Sequence, residues 1–256
     1  MSLKVNKREL DFNSLKVRGR IQMKNKIKKV RGGRFIVVEG IDGSGKKTQT
    51  NLLIKRLKKE GYKVRTIDFP QYEKNFFGKL IGECLAGEHG DFAKLDPKIA
   101  SVLYAADRFE SSTKIKKWLK QGCIVIADRY ANSNQIHQGG KILDSRKRRI
   151  FLDWLDKMEF DIFKIPKPDQ IIFLNVPLKL SLELLKNKDN LEKKKYLAGK
   201  KDAHENDPQH LLNAKRSALN LVKENNNWVD IQCAKNGKLL SIEEISEMIW
   251  RGIVNN

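Results

Sequence analysis

From residue 40 the chain reads Gly40-Ile41-Asp42-Gly43-Ser44-Gly45-Lys46-Lys47-Thr48, in which Gly40 and Gly45 stand with four residues between them and Lys46 follows directly. That spacing suits phosphate chemistry. Glycines let consecutive backbone N–H groups turn toward phosphate oxygens, and a following helix N-terminus adds its positive end. Lys46 would then bridge the terminal phosphates of a nucleotide. The position after Lys46 ordinarily carries a Ser or Thr hydroxyl that helps hold magnesium; here it is Lys47, with Thr48 one residue later. A glycine-rich turn with a chance lysine is the bland alternative. The apolar run Phe35-Ile36-Val37-Val38 directly before the loop weighs against it.

A second group of chemistry-bearing residues closes the apolar run Cys123-Ile124-Val125-Ile126-Ala127, which leads into Asp128-Arg129-Tyr130. A carboxylate at the carboxyl end of a buried parallel strand is well placed to hold magnesium, directly or through water. Arg129 beside it could bind a phosphoryl group in transfer. The alternative is a solvated ion pair at a strand end.

Short β-branched runs alternating with longer helical stretches must position these groups. Strands are expected at Phe35–Val38, Lys63–Phe69, Cys123–Ala127, Gln170–Val176 and Trp228–Gln232. Helices are expected over about 46–60, 78–85, from Asp96-Pro97 to Gln121-Gly122, over about 141–158, and from Leu178, Pro208 and Ile242. In the third helix Ile99, Val102, Leu103, Ala106 and Phe109 recur at helical spacing and read as its packing face. The fold class is α/β: a single doubly wound domain with a five-stranded parallel sheet flanked by helices. Residues 1–33 form a basic extension and 34–256 the domain, which includes a lysine-rich stretch at about 186–207.

The formal net charge is +21. Residues 1–34 hold twelve Lys/Arg against Glu9 and Asp11, so about half of the excess lies ahead of the first strand. Such a balance fits nucleic acid, an anionic membrane or phosphorylated substrates. Cys84, Cys123 and Cys233 are odd in number and far apart, which points away from a disulfide framework and toward a reducing compartment. Cys123, inside an apolar run, reads as core. No run approaches the roughly 18 apolar residues of a membrane span. The expected location is cytoplasmic, or mitochondrial if the basic N-terminal segment is a transit peptide.

Several motifs together resemble one family. Glu39 to Lys46, Asp68-Phe69-Pro70-Gln71-Tyr72, Gly87-Glu88-His89-Gly90-Asp91, Leu103 to Arg108 and Asp128 to Gln135 look, in order and spacing, like thymidylate kinase over residues 35–255. The resemblance implies ATP and Mg2+ as cofactors, dTMP as substrate, a lid over the ATP phosphates, and a homodimer formed through helices beside the sheet. It places ATP on Gly40, Gly43, Ser44, Gly45, Lys46, Lys47 and Thr48, and the metal on Asp128. It makes Lys46, Asp128 and Arg129 catalytic. Asp42 would meet the sugar 3′-hydroxyl, Phe69, Pro70 and Tyr72 would line the monophosphate pocket, and Tyr104 would stack on the base. Arg108 and Asn134 would hydrogen-bond the base, with Arg129, Ser133 and His137 completing the acceptor site. Two departures accompany it: Asp68 where several members carry a phosphate-binding Arg, and His137 where a Tyr is common. The basic Lys47 resembles some bacterial members, with Asp128 taking more of the magnesium role. The residue after Asp42 is Gly43 rather than the Arg of some members, so the lid lysines, Lys200 and Lys201 foremost, are candidate cations.

The favoured function is therefore transfer of the ATP γ-phosphoryl group to dTMP. A kinase for another pyrimidine nucleotide or nucleoside is the nearest alternative. A nucleic-acid-binding ATPase is a third, although the basic residues cluster in a tail and one loop without the interleaved aromatics such a surface uses. No specific nucleic-acid partner is expected.

Overall fold

A computed structural model of the chain describes residues 33–189 and 207–254. The N-terminal extension up to residue 32, and most of the proposed lid with Lys200 and Lys201, lie outside the described residues.

Five parallel strands form the central sheet in the order β2-β3-β1-β4-β5: β1 Arg34–Glu39, β2 Val64–Asp68, β3 Ile124–Asp128, β4 Gln170–Asn175 and β5 Trp228–Gln232. β1 and β4 are buried along their whole length, which explains their unbroken apolar runs. Alternate residues of β1 feed opposite layers. Phe35 and Val37 face one core with Tyr130, Ile136 and Leu211. Ile36 and Val38 face the other with Leu53, Leu57, Ile249 and Ile253.

The helices are α1 Lys46–Lys59, α2 Phe76–Leu85, α3 Pro97–Lys120, α4 Ala131–Gly140, α5 Ser145–Asp156, α6 Leu178–Asp189, α7 Pro208–Glu224 and α8 Ile242–Val254. Asp96 caps α3 as its sequence predicts, accepting from Lys98 N ahead of Pro97. The five expected strands and the starts of α1, α3, α6, α7 and α8 agree with the structure. No helix among the described residues is long and apolar enough to cross a membrane.

Three expectations need correction. The helix expected over 141–158 is α5 followed by a π-helical segment, Lys157–Ile162, and α4 ahead of it was not assigned. Ala131–Gly140 carries polar residues on a buried helix and so has no apolar stripe to read. A short antiparallel hairpin, Ala234–Lys235 with Lys238–Leu239, was also missed. Most important, the packing face expected for α3 is largely outward: Ile99, Val102 and Phe109 are 56%, 39% and 51% exposed. Leu103 and Ala106 are half-buried, with Leu103 packed beside Ile81 and Phe92, and Ala105, Asp107, Arg108 and Ile115 are buried. The inward face carries Arg108, whose counter-charge Glu159 comes from the segment Lys157–Ile162, a pairing that apolar periodicity does not register.

Candidate active site

The carboxyl ends of β1 and β3 lie side by side, with Val38 in register with Asp128, and Asp68 of β2 in register with Asp128 from the other side. The chain leaves β1 toward β2 and leaves β4 toward β5, in opposite directions across the sheet, so a crevice opens at these strand ends. The glycine-rich loop fills its rim. Gly43 and Gly45 take positive φ of 77° and 78°. Gly43 has a second constraint, because a Cβ there would sit 2.2 Å from Ser181 O of α6. The loop is thus shaped against α6, and an Arg at position 43 has no room.

Lys46 folds back over the loop, donating to Gly40 O at 2.8 Å and Ile41 O at 3.0 Å. Burial lowers its pKa to about 8 and the nearby Arg129 pushes the same way, while Asp42, Asp128 and Glu39 oppose the shift. Lys47 and Thr48 point outward and are exposed. Glu39, fully buried at the end of β1, accepts from Tyr130 N and from the Ser133 hydroxyl, each at 3.0 Å. Burial raises its pKa, and Arg129 and Lys46 partly offset the effect.

Arg129 sits at φ 66° and ties its backbone to Val38 O at 3.1 Å. Its guanidinium forks: Nη2 donates to Asp42 and Nη1 reaches His137 Nε2 at 2.9 Å. Because a guanidinium only donates, His137 Nε2 is the acceptor and Nδ1 carries the proton. That proton faces His210 Nε2 of α7 at 3.3 Å, with the two rings stacked. Burial and then Arg129 hold His137 well below the ordinary histidine pKa, which keeps it neutral. α4 and α7 approach closely enough to bring the two histidines together because position 140 is glycine: a Cβ there would lie 2.9 Å from Ala214 N.

At the other end of α4, Asn134 Nδ2 donates to Ser101 O and to Glu159 Oε1, both at 3.1 Å. Glu159 also takes two bonds from Arg108, Nε to Oε2 at 2.8 Å and Nη2 to Oε1 at 2.5 Å. Both side chains of this pair are only 2% exposed. Tyr104, one turn before Arg108, is half-buried with its ring edge-on to Phe92 at 5.8 Å. The segment 69–75 is pinned beside it by Asp107, which accepts from Gln71 N at 3.2 Å and Asn75 Nδ2 at 2.7 Å.

Most of the residues singled out from sequence converge on this crevice. Asp42, Lys46, Asp128, Arg129, Ser133 and His137 meet at the strand ends. Arg108 and Asn134 meet at Glu159, and Tyr72 lies within electrostatic reach of Arg129. Phe69 is 5% exposed and packs its ring on Tyr130 at 5.6 Å, beside the half-buried Pro70. Asp68 is exposed and is taken up by Lys74 Nζ at 2.7 Å and Gln71 Nε2 at 2.8 Å. Sequence reasoning missed Glu39, Glu159 and His210. A buried Glu closing an apolar strand was a usable signal for Glu39. Glu159, between Met158 and Phe160 in a charged stretch, carries none, because its partners come from α3 and α4. Among the described residues no cluster of three or more His, Cys, Asp or Glu side chains forms a ready-made metal site.

Comparison with known proteins agrees with this architecture. A family model described as thymidylate kinase matches residues 38–249. A probable thymidylate kinase of Thermococcus onnurineus is 40% identical over 154 residues, which is 58% of this chain and 69% of that protein. The thymidylate kinase of Mycobacterium tuberculosis is 32% identical over 149 residues, with the same coverage of 58% and 69%. Among solved structures, thymidylate kinase from Candida albicans superposes with a TM-score of 0.64 at 26% identity, covering 88% of this chain and 92% of that one.

Proposed function

The chain belongs to the thymidylate kinase family, and we propose that it transfers the γ-phosphoryl group of ATP to the 5′-phosphate of dTMP, giving ADP and dTDP. The observation that carries this reading is the bridging position of α4. One of its residues, His137, touches Arg129 at the phosphate-binding loop; another, Asn134, one turn earlier, touches the Arg108–Glu159 pair. A cleft with phosphate chemistry at one end and base-sized polar recognition at the other fits a nucleoside monophosphate facing a nucleotide triphosphate.

In this reading the loop N–H groups and Lys46 bind the ATP phosphates, and Lys46 gives up its contacts with Gly40 O and Ile41 O to do so. An acceptor phosphate oxygen attacks the γ-phosphorus as the bond to the β,γ-bridging oxygen breaks and ADP leaves. Arg129 supplies donors to the oxygens that gain charge. Asp42 now holds Arg129; a sugar hydroxyl donating to the same carboxylate would leave the guanidinium to turn toward phosphate. Magnesium takes few protein carboxylates and completes its shell with phosphate oxygens and water. Asp128, half-buried at the strand end, fits that donor set and would hold it, and the ion would neutralise charge between the phosphates. Phe69, Pro70 and Tyr72 would line the acceptor pocket, and Tyr104 would offer its ring to the base.

A coupled ADP-release assay across dTMP, dUMP, UMP, CMP and AMP, with ATP and magnesium, tests the proposal. Turnover is expected with dTMP. ADP release only in the presence of DNA or RNA would overturn the kinase reading in favour of an ATPase acting on nucleic acid.

The same chain is proposed to act as a homodimer through α3. Its outward stripe of Ile99, Val102 and Phe109 is an apolar surface that a second copy would cover. Val102→Glu with Phe109→Glu should convert a dimer to a monomer in sedimentation; unchanged sedimentation of the variant would remove α3 from the interface. Three free, buried cysteines suit a reducing, cytoplasmic setting.

A further inference from the structure

We propose that Glu159 is the positioning residue that sets base selectivity, fixing Asn134 carbonyl-outward so that the site accepts 4-oxo pyrimidines and rejects 4-amino ones. The inference rests on the pyrimidine monophosphate kinase reading above and deepens it.

The argument begins with the amide. Asn134 Nδ2 faces two oxygens that can only accept, Ser101 O and the Glu159 carboxylate, each at 3.1 Å. Turning the amide over would set its carbonyl oxygen against both, so the NH2 group is locked inward and Oδ1 is left for a ligand. Glu159 holds Arg108 by Nε and Nη2, and Nη1 takes no part in those bonds. The pair of groups remaining is one donor, Arg108 Nη1, and one acceptor, Asn134 Oδ1. A 4-oxo pyrimidine edge is the complement, with O4 to accept and N3–H to donate. A 4-amino edge reverses both, placing N–H against the guanidinium and a lone pair against Oδ1.

The backbone supports a dedicated role for this carboxylate. Glu159 sits in the π-helical segment Lys157–Ile162, a rare geometry often found at functional sites. The segment brings the carboxylate, with Glu159 only 1% exposed, between α3 and α4. Without Glu159, Ser101 O alone would orient Asn134, and Arg108 would lose the partner that defines its plane.

The test compares dTMP with 5-methyl-2′-deoxycytidine monophosphate, which has the same methyl group, sugar and phosphate but the reversed edge. The full chain should favour dTMP by at least about a hundredfold in kcat/KM, since a buried polar site strongly rejects a ligand that leaves its groups unpaired. Glu159→Gln supplies an NH2 group that can donate to Asn134 Oδ1 and so lets the amide turn over. The ratio should fall at least about tenfold in that variant, through the acceptor KM, with the ATP KM unchanged. Glu159→Asp keeps the charge and should retain a ratio closer to that of the parent. A folded Glu159→Gln with the parental ratio, or equal loss of selectivity in both variants, overturns the proposal. Should Glu159→Gln fail to fold, the parent and Glu159→Asp decide: weak discrimination by either counts against it. Transfer to dTMP without discrimination removes this inference alone, whereas transfer to neither compound removes the kinase reading as well.

Discussion

At the strand ends, Lys46, Asp42 and Arg129 hold one another through contacts that ligands can exchange, at side chains 10–19% exposed. At the far end of α4, Arg108 and Glu159 are a bidentate pair with 2% exposure and no solvent to replace either partner. The first arrangement suits groups that must let go of each other when phosphates arrive. The second suits groups that must not move, because they define the outline of a base. A cleft that releases charge at one end and immobilises it at the other can bind a variable, highly charged phosphate chain and still discriminate a neutral heterocycle.

Removing the exchangeable lysine should have the largest effect. Lys46→Ala is expected to lower kcat at least about a hundredfold, as charges on a transferring phosphoryl group are worth orders of magnitude. Its thermal midpoint should stay close to that of the parent. Retention of more than about a tenth of the activity would remove Lys46 from the phosphate site.

The immobile pair should declare itself in stability. Arg108→Ala leaves Glu159 buried and unpaired and is expected to cost about 3–5 kcal/mol in chemical denaturation. Lys74→Ala, which breaks the exposed pair with Asp68, should cost no more than about 1 kcal/mol. Equal losses would mean that burial is not what separates the two ends.

Tyr104→Ala addresses the base end without touching charge. Stacking is worth about 1–3 kcal/mol per base, so the dTMP KM should rise about fivefold to a hundredfold while the ATP KM holds. An effect confined to ATP would place the acceptor on another helix.

The smallest expected effect is in pH dependence. His137 is neutral in the folded state and has a depressed pKa, whereas unfolded histidine titrates near its ordinary value of about 6.5. Between the two values the unfolded chain binds the extra proton, so stability should be complete above about pH 6.5 and fall as pH drops below it. The slope from this one group cannot exceed about 1.4 kcal/mol per pH unit. His137→Phe should flatten that part of the profile, and an unchanged slope would assign the titration to other groups.

The two ends also differ in how far they could be read in advance. Phosphate binding was legible because its residues are contiguous: Gly40 to Lys46 is one turn between a strand and a helix, and Asp128-Arg129 is one strand end. The base end was legible only through family resemblance, which named Tyr104, Arg108 and Asn134. Nothing in the sequence pairs residue 108 with residue 159, fifty-one positions apart. Reading α3 by its apolar spacing gave a largely wrong inward face, because the rule that buried positions are apolar fails where a buried charge has its own counter-charge.

The sequence by itself determined the five strands of the sheet and most of the helices between them, the glycine loop and its lysine, and the carboxylate that closes β3. These are local consequences of side-chain period, turn chemistry and backbone freedom. Tertiary structure decided which way α3 faces, that Asp42 rather than solvent holds Arg129, and that His210 of α7 meets His137 through the close approach at Gly140. It also decided that Glu159 reaches both Arg108 and Asn134. The reason is physical: hydrogen bonds and ion pairs between distant segments depend on where the sheet places the helices, and that placement is a property of the packed core as a whole.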